Sequence, residues 1–269
     1  MASSRASNIV AKLPPETVPR FVASAIFLAS AAITLYFVRS MSGAMLMPGG
    51  WTMSMMWMTM PGWTIWSTAA MFLLMWQAMM IAMMLPSSWP MIELYRRVAR
   101  SAGETHAGLA TVLVGAGYFA AWLALGAVAF IIGFTWSTET MRSAALSRSA
   151  PLLSGGLLMV AGAFQFTPWK DACLKHCRSP LLMLGESWKR GLRAALRIGW
   201  RHGLYCVGCC WALMLIQMVL GVMNLSAMIL VAAVIGFEKL WKQGPLLAKF
   251  AGATAILFGV SILLRSLNG

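Results

Sequence analysis

The sequence predicts an all-α protein, a polytopic transmembrane helical bundle, and three observations carry that prediction. Of 269 residues, 60% are hydrophobic and 10% charged, against about 25% charged in an ordinary soluble domain. Mean hydropathy is +0.76. Apolar stretches near the ~20 residues that cross a hydrocarbon core recur at 21–38, 63–85, 108–134, 152–167, 203–222, 225–241 and 247–264. About seven spans are expected. Six is the smaller count, because the fifth and sixth are nearly continuous and only Gly221–Ser226 offers a hairpin.

Taken in order, residues 1–20 form a polar N-terminal tail in which Pro14, Pro15 and Pro19 discourage helix, and 21–269 form a single transmembrane domain. The first apolar run is bracketed by Arg20 and Arg39 and is long for a signal sequence, so it reads as a retained span. The fourth is short and stops at Pro168, which cannot continue a helix without strain. Gly115, Gly117, Gly126, Gly155, Gly156 and Gly162 inside the spans predict close helix approach in lipid.

Orientation follows from the basic residues. With the N-terminus in the cytoplasm, the inside segments hold Arg5, Lys12 and Arg20, then Arg96, Arg97 and Arg100. The next holds Lys170, Lys175, Arg178, Lys189, Arg190, Arg193, Arg197 and Arg201, and the last Lys239, Lys242 and Lys249. Only Arg39, Arg142, Arg148 and Arg265 fall outside, the asymmetry of a bacterial cytoplasmic-membrane protein. In "ESWKRGLRAALRIGWRHG", Lys189, Arg193, Arg197 and Arg201 recur every four residues. That spacing predicts a short amphipathic surface helix before the fifth span, facing anionic headgroups of the bilayer or docking an acidic partner. The net charge of +14 is thus a membrane feature, and no nucleic-acid motif accompanies it.

The loop after the first span is expected outside, in the periplasm of a Gram-negative cell. It carries Met41, Met45, Met47, Met53, Met55, Met56, Met58 and Met60, with Trp51, Trp57 and Trp63 among them. A solvated loop gains nothing from core filler, whereas thioethers bind Cu(I) without deprotonation. The alternative is an interfacial loop anchored by Trp. The second span continues with Met71, Met75, Met79 and Met83 at four-residue intervals, Met80 and Met84 beside them, and Gln77 in the same helix. Such a stripe is either a metal ladder or flexible packing.

All five cysteines lie near the inner ends of the fourth and fifth spans. "PWKDACLKHCRSP" holds Cys173, His176 and Cys177, and "RHGLYCVGCCWALM" holds His202, Cys206, Cys209 and Cys210. Helical spacing aligns Cys173 with Cys177, and His202 with Cys206 and Cys210. A reducing cytoplasm disfavours a disulfide, and thiolate with imidazole suits Cu(I), with zinc as the alternative ion. Buried apolar cysteines, or a redox pair at Cys206 and Cys209, are the competing readings. With only seven carboxylates in the chain, calcium and magnesium are disfavoured. No Gly-rich phosphate loop, paired carboxylates or Ser-His-Asp set appears, so no enzyme is expected. Glu238 is expected to pair with Lys239 or Lys242, or to carry a proton; Gln165 and Gln217 are expected to make interhelical hydrogen bonds.

The segments "MPGWTIWSTAAMFLLMWQAMMIAMMLPSSWPM", "FQFTPWKDACLKHCRSPL" and "RHGLYCVGCCWALM" resemble a bacterial family of predicted metal-binding integral membrane proteins. That family is a domain of unknown function, sometimes described as a copper chaperone. The likeness runs from about Trp57 to Lys242. It implies metal ligands at Met79, Met80, Met83 and Met84, at Cys173 and Cys177, and at Cys206, Cys209 and Cys210. The expected function is to gather Cu(I) at the Met loop and pass it to the Cys/His cluster, for transport or for delivery to a copper-protein partner. An assembly subunit for a copper enzyme, a membrane thiol–disulfide oxidoreductase and a purely structural bundle are the alternatives.

Overall fold

The structure, a computed structural model, describes residues 17–40, 43–59, 62–179, 185 and 190–268. Among them the chain is helical apart from one small hairpin. Helix α1 (Thr17–Ser40) leads into strands β1 (Ala44–Met47) and β2 (Trp51–Ser54) and a 3₁₀ turn at Met55–Trp57. There follow α2 (Ile65–Ser101), α3 (Ala107–Arg142), α4 (Ala144–Phe164), α5 (Pro168–Arg178), α6 (Leu192–Leu220), α7 (Leu225–Leu240) and α8 (Gly244–Asn268). Six of these, α1 to α4, α6 and α8, are long and apolar enough to cross a membrane. Helix α7 stands where the sixth span is expected but has only 16 residues.

Local chemistry sets the helix starts. Thr64 and Ser67 form a reciprocal capping box on α2. Ser143, Thr167 and Asn224 accept from the backbone N–H of Leu146, Lys170 and Ala227 at the starts of α4, α5 and α7. Pro168 ends the fourth span as expected, and it then opens α5, where its missing N–H costs nothing. Three helices overrun their predicted spans. Helix α2 continues through Pro86 and Pro90 for 37 residues, about 55 Å at 1.5 Å per residue. Prolines are tolerated inside spanning helices where neighbours and side chains re-satisfy the backbone. Helix α3 runs on to Arg142, and α4 starts at Ala144 and passes through Pro151.

The basic stretch also differs from expectation. Residues 186–189 lie outside the described residues. From Leu192 onward the stretch is not a separate surface segment but the first turns of α6. Its small and apolar side, Ala195, Ile198 and Gly199, is buried, while Arg193 and Arg197 are exposed. That burial is against α3. A Cβ at Gly199 would stand 2.0 Å from the Val114 carbonyl oxygen, and one at Gly117 2.3 Å from that of Leu196. The same device joins α4 to α8, where Gly155 meets Gly259 and Gly162 meets Gly252 backbone to backbone. Gly115 and Gly156, read in the sequence as packing glycines, face open space. Gly199→Leu will therefore force α3 and α6 apart and destabilise the fold by about 3 kcal/mol, the upper end for overpacking. Gly115→Ala will leave the unfolding midpoint in detergent unchanged.

Much of the Met loop packs against the bundle, with Met47, Met53 and Met56 buried and Met58 half-buried, while Met45 stays exposed. The loop folds as an antiparallel hairpin with Met45 opposite Met53 and Met47 opposite Trp51, closed by Gly49 and Gly50 at positive φ. Ser147 Oγ donates to the Pro48 carbonyl at 2.7 Å, and Trp51 Nε1 donates to the Ser147 carbonyl at 2.8 Å. These bonds clamp the hairpin onto the α3–α4 corner. Met47, Met53 and Met56 are buried, and Trp57 packs on Phe72 and over Gly133. The hairpin is a plug on one end of the bundle, so its methionines find apolar contact that a free loop would not provide.

Candidate metal site

The second cysteine segment lies midway along α6, where Cys206, Cys209 and Cys210 are all buried. Helix α5 folds back to meet it. Cys177 Sγ lies 3.8 Å from Cys209 Sγ, and Cys209 Sγ lies 3.3 Å from Cys210 Sγ. The Cys206 carbonyl accepts from Cys209 Sγ at 3.3 Å, and the Cys206 thiol interacts electrostatically with those of Cys177, Cys209 and Cys210, so four cysteines from two helices form one cluster. On the side of Cys206 stand two polar groups, the Tyr118 hydroxyl at 2.9 Å and the Lys239 ammonium, which donates at 2.9 Å. Lys239 Nζ also donates to Ser87 Oγ at 3.2 Å, tying in α2. The Lys239 ammonium is the one cation in hydrogen-bond contact with a cluster sulfur among the described residues.

What brings α5 to this place is a buried ion pair. Lys170 Nζ donates to Glu238 Oε2 at 2.8 Å and also to Gln165 Oε1, with both charged side chains shut off from solvent. Arg178 adds bonds to the Glu238 and Lys242 carbonyls at 3.0 and 3.2 Å. Glu238 thus pairs across helices with Lys170, not with Lys239 or Lys242. The physical reason is direction: Lys239 follows Glu238 in the helix and points elsewhere, into the thiol cluster.

The remaining expected ligands divide. Cys173 is not in the cluster. Its Sγ packs on Gly208, 3.0 Å from where a Cβ there would stand, and its hydrogen-bond contact is Trp169. His176 turns to the rim, where its Nδ1 pairs with the Ala172 carbonyl at 2.9 Å and its ring stacks on Tyr205. His202 is buried one turn before Cys206, tilted against Tyr118, with Nδ1 unpartnered. Among the described residues, no three His, Cys, Asp or Glu side chains surround a ready-made metal position. The thiols instead touch one another. Two sulfurs bound to one ion at about 2.3 Å each are about 3.8 Å apart in a tetrahedral site, which is the Cys177–Cys209 separation. Cys209 and Cys210, at 3.3 Å, stand closer than that, so by donor chemistry the thiols suit a soft ion while only the Cys177–Cys209 pair has the spacing of two ligands to one ion.

Of the α2 methionines, Met75, Met79, Met80, Met83 and Met84 are buried in the same core cluster as Cys206, Cys209 and Cys210, and Met71 is half-buried above them. Among the loop residues, Met53 and Met56 are buried and Met58 is half-buried. The backbone of Met55 lies in the 3₁₀ turn, while its side chain and Met60 lie outside the described residues. Sequence reasoning missed Tyr118, Ser87 and Lys239. Ser87 had a signal, since it is the next four-residue rung after Met71, Met75, Met79 and Met83. Lys239 had one too: a cation inside an apolar helix is a site marker more often than a loop charge.

Residues 73–262 match the family PpoB2, described as copper chaperone. The chain belongs to this family. No curated protein and no solved structure matches the chain. The copper chaperone match takes in Met75–Met84, both cysteine segments and Lys239, and it leaves out the hairpin.

Proposed function

We propose that the protein is a Cu(I)-handling membrane protein that takes the ion at its hairpin end and holds it on the thiols of Cys177, Cys206, Cys209 and Cys210 for release. The observation that carries this reading is the meeting of Cys177 from α5 with Cys209 and Cys210 from α6. From Ile65 at the hairpin end to Ser87 beside the cluster, α2 rises about 33 Å, comparable to a membrane core. Neutral thioethers bind loosely and thiolates tightly, so the ligand order favours movement from plug to thiols.

In this reading the N-terminus and the basic ends of α2 and α6 lie in the bacterial cytoplasm, the hairpin faces outward, and a copper protein receives the ion. Copper is favoured over zinc because the methionines leading to the cluster are thioether donors, which suit Cu(I). The role is carriage, not catalysis. Cys206 and Cys209 are sealed from solvent, whereas a thiol–disulfide exchange pair needs access for its partner.

The test is elemental analysis of protein purified under reducing conditions with Cu(I), before and after changing Cys177, Cys206, Cys209 and Cys210 to serine. Loss of the tightly held ion is expected. Unchanged stoichiometry and affinity would remove the thiol site from the account.

A further inference from the structure

Under the hairpin, between α3, α4 and α6, lies a cavity of about 500 Å³. Three methionines line it, Met53 from β2 and Met214 and Met218 from α6, beside Trp51 and Trp136 and the indoles of Trp57, Trp76 and Trp211. The last three rings are fixed in place. Trp57 packs on Phe72 at 5.1 Å, Trp76 Nε1 donates to the Trp122 carbonyl at 2.9 Å, and Trp211 lies edge-on to Phe164 at 4.7 Å. Among the described residues, no charged side chain lines the space.

Met214 and Met218 continue a row that begins in the thiol cluster. Cys206, Cys210, Met214 and Met218 follow one another every four residues along α6, each about 6 Å further along the axis. Met214 is buried in the same core as Cys210. Met79, Met80 and Met84 on α2 line neither this space nor the groove beside α1. A thioether bordering open volume has room to take an ion.

We propose that this cavity is a site for a soft monovalent cation, bound by Met53, Met214 and Met218 beneath the tryptophan faces, and that α6 is the helix that carries the ion on to Cys210. The proposal deepens the Cu(I) reading and rests on it for direction, though not for binding. The chemistry selects the ion. With no anionic donor in the cavity, a divalent cation would be buried uncompensated. Cu(I) and its analogue Ag(I) accept neutral sulfur donors and gain from an indole face.

The experiment titrates full-length protein in detergent with Ag(I), reading bound ions by elemental analysis and tryptophan fluorescence by quenching. Three variants are compared: Met214→Leu/Met218→Leu, the Cys177, Cys206, Cys209 and Cys210 serine variant, and Met159→Leu as a volume-matched control outside the cavity. Leucine nearly conserves volume, so folding is retained. The Met214/Met218 variant is expected to hold one ion fewer and to lose the quench, or to need at least about tenfold more Ag(I) to reach it. The cysteine variant should keep the quench while losing its thiol-bound ions. Full quench and unchanged count in the Met214/Met218 variant would overturn the site, and would leave the cavity as space for an acyl chain. Loss of every ion and of the quench in the cysteine variant would overturn it equally. A cysteine variant with unchanged count, beside a Met214/Met218 variant that loses its ion, would instead sink the thiol reading and leave this one standing.

Discussion

Lys170→Met will lower the stability of the folded protein by about 3–5 kcal/mol, the cost of leaving one member of a buried ion pair alone. Lys170 and Glu238 are shut off from solvent at 2.8 Å, and Glu238 Oε1 already has no partner, so the change removes the one cation bonded to a buried carboxylate. The double change Lys170→Met/Glu238→Leu should recover most of the loss, because it removes both buried charges and keeps apolar volume. Unfolding midpoints in detergent read the difference, and a double variant as unstable as the single one would contradict the account. The same substitution should weaken Cu(I) binding. The pair anchors α5 to α7, and without it Cys177 is no longer held 3.8 Å from Cys209.

Cys177→Ser and Cys173→Ser will separate sharply in Cu(I) affinity, although the sequence gives them equal standing. Even changes behind a metal's ligands weaken binding by about 10–100-fold, so losing a ligand thiol should reach at least the upper figure. Cys177 touches the α6 thiols, whereas Cys173 faces Gly208 one turn away. The expected outcome is a loss of about 100-fold or more for Cys177→Ser and little change for Cys173→Ser, measured by competition with a Cu(I) chelator. Equal losses would place Cys173 among the ligands and require α5 to rotate on loading.

The contrast between those two cysteines shows where sequence reasoning ends. Helical periodicity puts Cys173 and Cys177 on one face of α5. It does not say which of them meets α6, because that depends on the pitch at which α5 docks, and the docking is set by Lys170, Arg178 and Glu238. The methionine loop shows the same limit. Its residues pointed to a soft-metal loop in water, but Met47, Met53 and Met56 are buried because Ser147 and Trp51 clamp the hairpin to a corner distant in sequence. Met214 and Met218 went unremarked because isolated methionines in an apolar span look like filler until a cavity is seen beside them.

By itself the sequence determined the all-α class, the positions of the apolar helices and the family likeness. Each of these follows from composition or from spacing along a single helix. Only the tertiary structure decided which four thiols meet, that Lys239 and Tyr118 stand against them, that Glu238 pairs with Lys170, and which methionines border open space. Those are contacts between residues far apart in the chain. They are fixed by how closely glycine lets one helix approach another and by which buried charge finds its partner, neither of which has a period to read.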